Sequence, residues 1–118
     1  MERENFKNMK VWQDAMELTT DIYKATADFP ESEQYGLTNQ IRNSAVNLPS
    51  KIAAGSARHD QEDFCDFLEE ALSHTYELET QTLLASELKI MDYEDASTII
   101  RQLSALQEAL DKMIEEML

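Results

Sequence analysis

The stretch QYGLTNQIRNSAVNLPSKIAAGSARH, residues 34–59, decides the fold of this chain. The protein has 24 Asp and Glu residues, yet none of them lies in this stretch, which also contains both glycines and many small residues. Apolar residues recur in it at helical spacing: Leu37, Ile41, Ala45, Leu48 and Ile52. These features predict a short, weakly basic helix packed among longer acidic ones.

Pro49 lies inside this apolar pattern. A proline within a helix removes one backbone donor and frees the carbonyl four residues earlier, here that of Ala45. Because the apolar spacing continues beyond Pro49, we predict one helix that starts near Leu37 or Thr38 and is kinked at Pro49. Gly55 is expected to end this helix.

Three longer helices are predicted around it. The first runs from about Met9 to Asp28 and ends before Pro30, because the residue before a proline is displaced from the α region. The segment 30–36 follows as a turn, with room for one irregular helical turn. The third helix is predicted from Gln61 to Leu88 with Asp60 as its N-cap, and the fourth begins after a second N-cap, Asp92.

Each long helix carries an apolar seam with alternating spacings of three and four residues. In the first helix the predicted seam is Trp12, Ala15, Thr19, Ile22, Thr26 and Phe29. In the third it is Phe64, Phe67, Ala71, His74, Leu78, Gln81, Ala85 and Leu88. A second stripe lies beside it: Cys65, Leu68, Leu72, Tyr76 and Leu83. In the fourth the seam is Ala96, Ile99, Leu103, Leu106, Leu110, Met113 and Met117.

The connections between these helices are short, which favours antiparallel neighbours. We therefore predict an all-α fold over residues 1–118: a single-domain, antiparallel, up-down-up-down four-helix bundle with a Pro-kinked second helix. A helix that is apolar on two faces is either central or contacts a partner chain, so the second stripe of the third helix also predicts self-association.

Charge and composition exclude several classes of function. The net charge of −14 argues against sequence-independent nucleic-acid binding, which needs a cationic surface. No apolar run approaches the ~20 residues that span a bilayer, and the first ten residues lack the apolar core of a signal peptide. The single cysteine, Cys65, cannot form an internal disulfide, which suits a reducing compartment. We expect a cytoplasmic protein without membrane contact.

Three cations of the second helix form the candidate partner site. Arg42, Lys51 and Arg58 could bind an anion such as an RNA phosphate. Alternatively, they could complement the acidic helices, either within the chain or across a subunit contact. Both interpretations remain open on the sequence.

Several polar residues lie in or near the predicted seams. Gln40, Asn47 and Gln81 are interpreted as residues that fix helix alignment through side-chain hydrogen bonds. Glu77 is expected to reach Arg42 or Lys51. Glu77 and Glu79 point to different faces of their helix, so they cannot act as a paired acid and base.

No catalytic or metal site is predicted. His74 is interpreted as a histidine at the edge of the core, and the chain lacks the Glu-x-x-His pairs of a di-metal bundle. Cys65 is expected to pack as a small hydrophobe, since its neighbours in sequence are acidic. With neither a nucleophile–base pair nor a phosphate loop, we expect no cofactor and no enzymatic activity.

Three runs of the chain carry a family resemblance: VWQDAMEL (11–18), FPESEQYGLTNQIRNSAVNLPSKIAAGSAR (29–58) and YELETQ (76–81). They resemble the four-helix-bundle proteins encoded in intervening sequences of bacterial 23S ribosomal RNA genes. That resemblance implies an up-and-down bundle, a homopentamer and no established enzymatic activity. The accessory variability protein of diversity-generating retroelements is similar; it is a basic pentamer that works with a reverse transcriptase and RNA.

The chain departs from the usual family pattern at a few positions. Asn43 replaces a second arginine, and Lys51 and Ala54 replace an amide and an acid. Lys89 stands where a glycine is usual between the last two helices. The core pattern is unaffected by these changes.

The sequence therefore predicts a non-enzymatic, oligomeric interaction or scaffold module. The alternative is an accessory factor that binds RNA or a nucleoprotein partner through the cations of the second helix. The negative net charge and Asn43 predict that any nucleic-acid binding is weak and sensitive to salt.

Overall fold

Four α-helices dominate the computed structural model, which describes residues 5–118. They are α1 (Lys10–Thr26), α2 (Leu37–Ser56), α3 (Gln61–Glu87) and α4 (Tyr93–Met117). Short 3-10 turns lie at Phe6–Asn8 and Glu31–Glu33; the second is the irregular turn expected between the first two helices. The predicted all-α bundle of four helices is confirmed, and the described residues contain no strand.

The four helices pack in the order of the chain, and α1 also contacts α4. Where two successive helices touch, the end of the first helix lies beside the start of the second, and the start of the first lies beside the end of the second. In α3 and α4, for example, Gln107 Nε2 donates to Glu79 Oε1 at 2.8 Å, and Gln61 Nε2 donates to the Met117 carbonyl at 3.2 Å. This is the contact pattern of antiparallel neighbours.

One core cluster fills the space between the helices. All five apolar positions predicted for α2 are buried, four of them completely. In α4 the predicted seam is buried from Ala96 to Leu110, but Ile114 takes the next buried position while Met113 and Met117 are only partly buried.

The seam predicted for α3 was wrong at every second position. The structure buries Leu68, Thr75 and Thr82 in place of Phe67, His74 and Gln81. Both sets fit helical spacing, because they share the positions between them. A threonine has one hydroxyl to satisfy: Thr75 Oγ1 donates to the Leu72 carbonyl of its own helix at 2.6 Å, whereas Thr82 Oγ1 is buried without a hydrogen-bond partner. Burying an imidazole or an amide would leave more polar atoms without partners.

The same shift occurs in α1. Val11 and Leu18 are buried, whereas Trp12, Thr19 and Phe29 of the predicted seam are only partly buried. Burial of the branched aliphatic residues leaves Trp12 at the edge of the core, where its ring meets Phe6 edge-on with the centroids 5.3 Å apart.

The second helix runs without interruption through Pro49, which is buried. The continuous helix is therefore confirmed, while the bend at Pro49 stays a prediction. The role expected for Gly55 was wrong: the helix continues to Ser56, and Gly55 has no positive φ. A Cβ atom at Gly55 would lie 2.6 Å from Phe67 Cβ. A glycine is needed here because α2 and α3 approach closely.

The ends of α3 are fixed by two local devices. At its start, Asp60 caps the helix as predicted, with its side chain accepting from the Glu62 amide at 3.1 Å. At its end, Lys89 adopts a left-handed conformation with φ of 61°. The amide of Ile90 donates to the Ala85 carbonyl at 2.8 Å, the long hydrogen bond of a Schellman motif. Lys89 thus occupies the left-handed position at which glycine is the usual residue.

Candidate interaction surface

Arg42 joins α2 to the C-terminal end of α1. Its Nε donates to Thr26 Oγ1 at 2.9 Å, and its Nη2 donates to the Tyr23 carbonyl at 3.2 Å. The guanidinium also lies over the Tyr23 ring, 4.5 Å from the centroid. A cation on the last carbonyls of a helix stabilises the helix end. Arg42 is therefore engaged within the chain.

Lys51, on the opposite flank of α2, and Arg58, two residues beyond the end of that helix, both contact α3. Lys51 Nζ lies 3.1 Å from Glu70 Oε2 of α3 and 5.6 Å from the Phe67 ring centroid. Arg58 Nη2 lies 3.3 Å from Asp63 Oδ2, also on α3. Because Arg42 contacts α1 while these two contact α3, the structure does not bring the three predicted cations together.

The sideways orientation of the cations leaves an uncharged outer surface on α2. Every exposed residue of this helix is neutral; we call the set the α2 outer face: Asn39, Gln40, Asn43, Val46, Ser50 and Ala54. Gln40 was placed near a seam, but it is exposed on this face. The sequence signal for the face was the absence of acids in residues 34–59.

The exposed surface of α3 changes character at its middle. Residues 61–72, the acidic half, expose Gln61, Glu62, Asp66, Glu69 and Glu70. Residues 73–87, the apolar half, expose Ser73, Tyr76, Glu77, Thr80, Leu83, Leu84 and Glu87. Tyr76, Leu83 and Leu84 are exposed to 52%, 53% and 48%. The helix thus presents large apolar side chains on one half only.

The second stripe predicted for α3 is divided by the structure. Cys65 and Leu68 are buried in the core of the same chain, and Leu72 is partly buried against it. Only Tyr76 and Leu83 are largely exposed. Leu84, which directly follows Leu83, is also exposed, but the predicted second stripe did not include it.

Glu77 contacts different partners from those expected. Its Oε2 accepts from Ser44 Oγ at 3.4 Å and lies 3.2 Å from His74 Nδ1. Neither Arg42 nor Lys51 reaches it, because each is paired elsewhere. His74 is thus a half-buried residue at the α2–α3 boundary with a carboxylate neighbour.

The remaining predicted polar residues have local contacts. Asn47 Nδ2 donates to the Asn43 carbonyl of its own helix at 3.0 Å. Gln81 is half-buried, and its Oε1 is shielded from solvent without a hydrogen-bond partner. Glu79 accepts from Gln107 on α4, whereas Glu77 faces α2. The two carboxylates therefore do not share a site.

Cys65 is buried in the acidic half of α3. Burial raises the pKa of the Cys65 thiol, and the neighbouring carboxylates Glu69, Asp66 and Glu62 raise it further. A higher pKa leaves less of the reactive thiolate near neutral pH. The surroundings of Cys65 therefore oppose nucleophilic chemistry.

The described surface has shallow depressions that are open to solvent. A depression of about 350 Å³ between α1 and α4 is lined by Asp21, Lys24, Asp95 and Gln102, among others. Within residues 5–118, no group of three or more His, Cys, Asp or Glu side chains could hold a metal ion. Over the same residues, no helix is long and apolar enough to cross a membrane.

Comparison with known proteins agrees with this architecture. A solved structure from Bacteroides thetaiotaomicron, of a protein with unknown function from the S23 ribosomal protein family, is similar with a TM-score of 0.79 at 20% sequence identity. The alignment covers 88% of this chain and 97% of that chain, and at this identity it shows the fold alone. No curated protein matches the sequence. The family model for the 23S rRNA-intervening sequence protein matches residues 7–112. The chain therefore belongs to the 23S rRNA-intervening sequence protein family.

Proposed function

We propose that this protein is a non-enzymatic, cytoplasmic, single-domain interaction module that assembles with copies of itself. The observation that carries the proposal is the apolar half of α3, where Tyr76, Leu83 and Leu84 each keep about half of their surface exposed. Covering these side chains would remove apolar surface from water, which stabilises a contact by about 25 cal/mol for each Å² buried. Tyrosine in particular is enriched in protein interfaces.

The charge of the chain restricts where copies can meet. At a net charge of −14, two copies repel each other, so a contact must avoid bringing acidic surfaces together. The acidic half of α3 is excluded on this ground, whereas the centre of the apolar half carries neutral residues between Thr80 and Leu84. On the family resemblance, we propose that five copies assemble.

The proposed absence of enzymatic activity rests on the site chemistry. Glu77 and Glu79 contact different helices, and Cys65 is buried with a raised pKa. General acid–base and nucleophilic catalysis each need positioned partner groups, and these residues do not provide them.

Light scattering after size-exclusion chromatography tests the assembly. We expect the purified chain at micromolar concentration to have several times the mass of one 13.6 kDa chain. Leu83→Glu should reduce the mass towards one chain, because it places a carboxylate in the contact. The matched control is Met16→Glu, since Met16 is 42% exposed on α1 and lies outside the proposed contact.

Two other results would change the proposal. A wild-type mass of a single chain would end it, and a stable dimer would exclude five copies while leaving self-association in place. Assembly should persist at high salt and loosen at low salt, where repulsion between like charges is less screened.

RNA binding receives less support from the geometry. Arg42, Lys51 and Arg58 are each engaged by a neighbouring helix: Arg42 contacts α1, whereas Lys51 and Arg58 contact α3. We expect weak, salt-sensitive binding in a mobility-shift assay at ~150 mM salt. Sub-micromolar binding to a structured RNA under these conditions would instead favour an accessory RNA-binding role.

A further inference from the structure

The α2 outer face differs from the other exposed surfaces of the bundle in having no charge. Its six residues are neutral, and Val46 is its large apolar residue, 42% exposed. By contrast, the exposed residues of α3 and α4 include several carboxylates each. In a chain with a net charge of −14, a twenty-residue helix with a neutral exposed surface is a distinct feature.

Intramolecular contacts keep this face neutral. Arg42 is drawn to α1 by Thr26 and the Tyr23 carbonyl, while Lys51 is drawn to α3 by Glu70. Both cations belong to the same helix as the face, yet they lie on its flanks. A second copy that approaches the face therefore meets neutral side chains at its centre, with the two cations at its flanks.

The α2 outer face and the apolar half of α3 are complementary in size. Ser50 and Ala54 have small side chains, whereas Tyr76, Leu83 and Leu84 project large ones. Large apolar side chains pack best where small residues allow a close approach, as knobs do between helices. The α2 outer face is neutral, and residues 80–84 at the centre of the apolar half are neutral too, so no charged side chain lies at the centre of the contact.

A contact between two apolar halves is less favourable. In a two-fold symmetric, antiparallel pairing centred on Thr80, Glu77 of one copy would face Leu83 of the other. The Glu77 side chain is 56% exposed and would lose water without gaining a cation, which is costly for a carboxylate. Because the α2 outer face has no acid, a contact between it and the apolar half covers one Glu77 side chain instead of two.

We propose that the apolar half of α3 of one copy packs on the α2 outer face of a second copy of this chain. This inference rests on the proposed self-assembly and specifies its contact. Because the two surfaces are different, each copy has one free surface of each kind after pairing. Contacts of this heterologous type close into rings or continue as chains, so they build assemblies of more than two copies.

A mixing experiment with two variants tests the pairing. The first variant, Leu83→Glu, alters the apolar half; the second, Val46→Glu with Ser50→Glu, alters the α2 outer face. All changed residues are exposed, so both chains should fold, which circular dichroism and thermal unfolding check. Each variant alone should have the mass of one chain. Because each keeps one intact surface, an equimolar mixture should form a species of about two chains.

The outcomes separate the inference from the proposed function. If the α2 variant assembles as the wild type does, the inference is overturned while self-assembly stands. If both variants are single chains and their mixture at about 100 µM contains no two-chain species, the pairing is also overturned. If the wild type is itself a single chain, the proposed function fails. Met16→Glu, which leaves both surfaces intact, should assemble as the wild type does.

Discussion

The acidic and apolar halves of α3 share one buried stripe but have opposite exposed surfaces. Leu68 in the acidic half and Leu78 in the apolar half are both completely buried. Outside, the first half exposes Glu69 and Glu70, whereas the second exposes Leu83 and Leu84. A helix can therefore hold one bundle together along its whole length while presenting two different surfaces to other molecules.

The difference arises because core and surface obey separate constraints. The buried positions accept an apolar side chain or a threonine, so Leu68 and Thr75 are both completely buried, and the Thr75 hydroxyl bonds within its own helix. An exposed position is free to carry charge unless something covers it, and large exposed apolar groups that form one patch commonly mark an interaction site. The shared stripe belongs to the core, whereas the apolar half carries the contact proposed above for assembly.

The largest expected effect tests whether the halves share one core. Leu68→Ala and Leu78→Ala should each lower the free energy of unfolding by about 3 kcal/mol, because both leave cavities in closely packed surroundings. Leu83→Ala should cost less than about 1 kcal/mol in dilute protein, where assembly contributes least. Urea denaturation followed by circular dichroism gives all three values. A Leu83→Ala cost equal to that of Leu78→Ala would show that Leu83 belongs to the core.

A second substitution tests how the acidic half is attached to α2. Gly55→Ala should lower the free energy of unfolding by about 2 kcal/mol, because the new methyl would lie 2.6 Å from Phe67 Cβ and 3.0 Å from Phe64 Cδ1. Ala57→Leu is the control, since Ala57 is exposed at the end of the same helix. Chemical denaturation should show little change for the control. An equally small change for Gly55→Ala would mean that α2 and α3 can separate at no cost.

A smaller effect is expected where the apolar half ends. Lys89→Gly should raise the free energy of unfolding by about 0.5 kcal/mol, because glycine relieves the left-handed strain at φ 61° while making the unfolded chain more flexible. Lys89→Ala keeps the strain and should change little. The midpoints of thermal unfolding of both variants, compared with that of the wild type, test this prediction. A lower midpoint for Lys89→Gly would show that the lysine side chain contributes more than the backbone strain costs.

The smallest effect concerns the thiol of the acidic half. Since the pKa of Cys65 is raised by burial and then by Glu69, Asp66 and Glu62, its alkylation rate should rise with pH later than that of the urea-unfolded chain. The protonated thiol is favoured in the fold, so its contribution to stability is present below the usual thiol pKa and lost as pH rises through the raised value. Glu69→Gln should move the rate profile to lower pH; an unchanged profile would exclude Glu69 as a cause of the raised pKa.

The sequence predicted the helices well because periodicity and end signals are local. All five apolar residues of the pattern from Leu37 to Ile52 are buried, and Asp60 marked the start of α3. The seams of α1 and α3 were misplaced because two sets of positions fit the same spacing. Choosing between Thr75 and His74 depends on which neighbouring helix approaches, and the sequence of one helix does not contain that information.

The candidate surface was predicted in composition but not in geometry. The absence of acids in residues 34–59 marked α2 as different, yet Arg42, Lys51 and Arg58 were grouped as one site. Their true partners, such as Thr26 and Glu70, are distant in sequence. Leu84 was not assigned to any stripe, because its exposure depends on where α2 and α4 cover α3.

By itself, the sequence determined that four helices form and that the second has an apolar stripe and no acidic residue, because these properties follow from residue order along one helix. Only the tertiary structure decided which flank each cation occupies, why Gly55 must be a glycine and which half of α3 stays exposed. These features depend on the distance between helices: a Cβ at Gly55 would meet Phe67 only because α2 and α3 pack so closely. Such distances are set by the packing of the whole bundle.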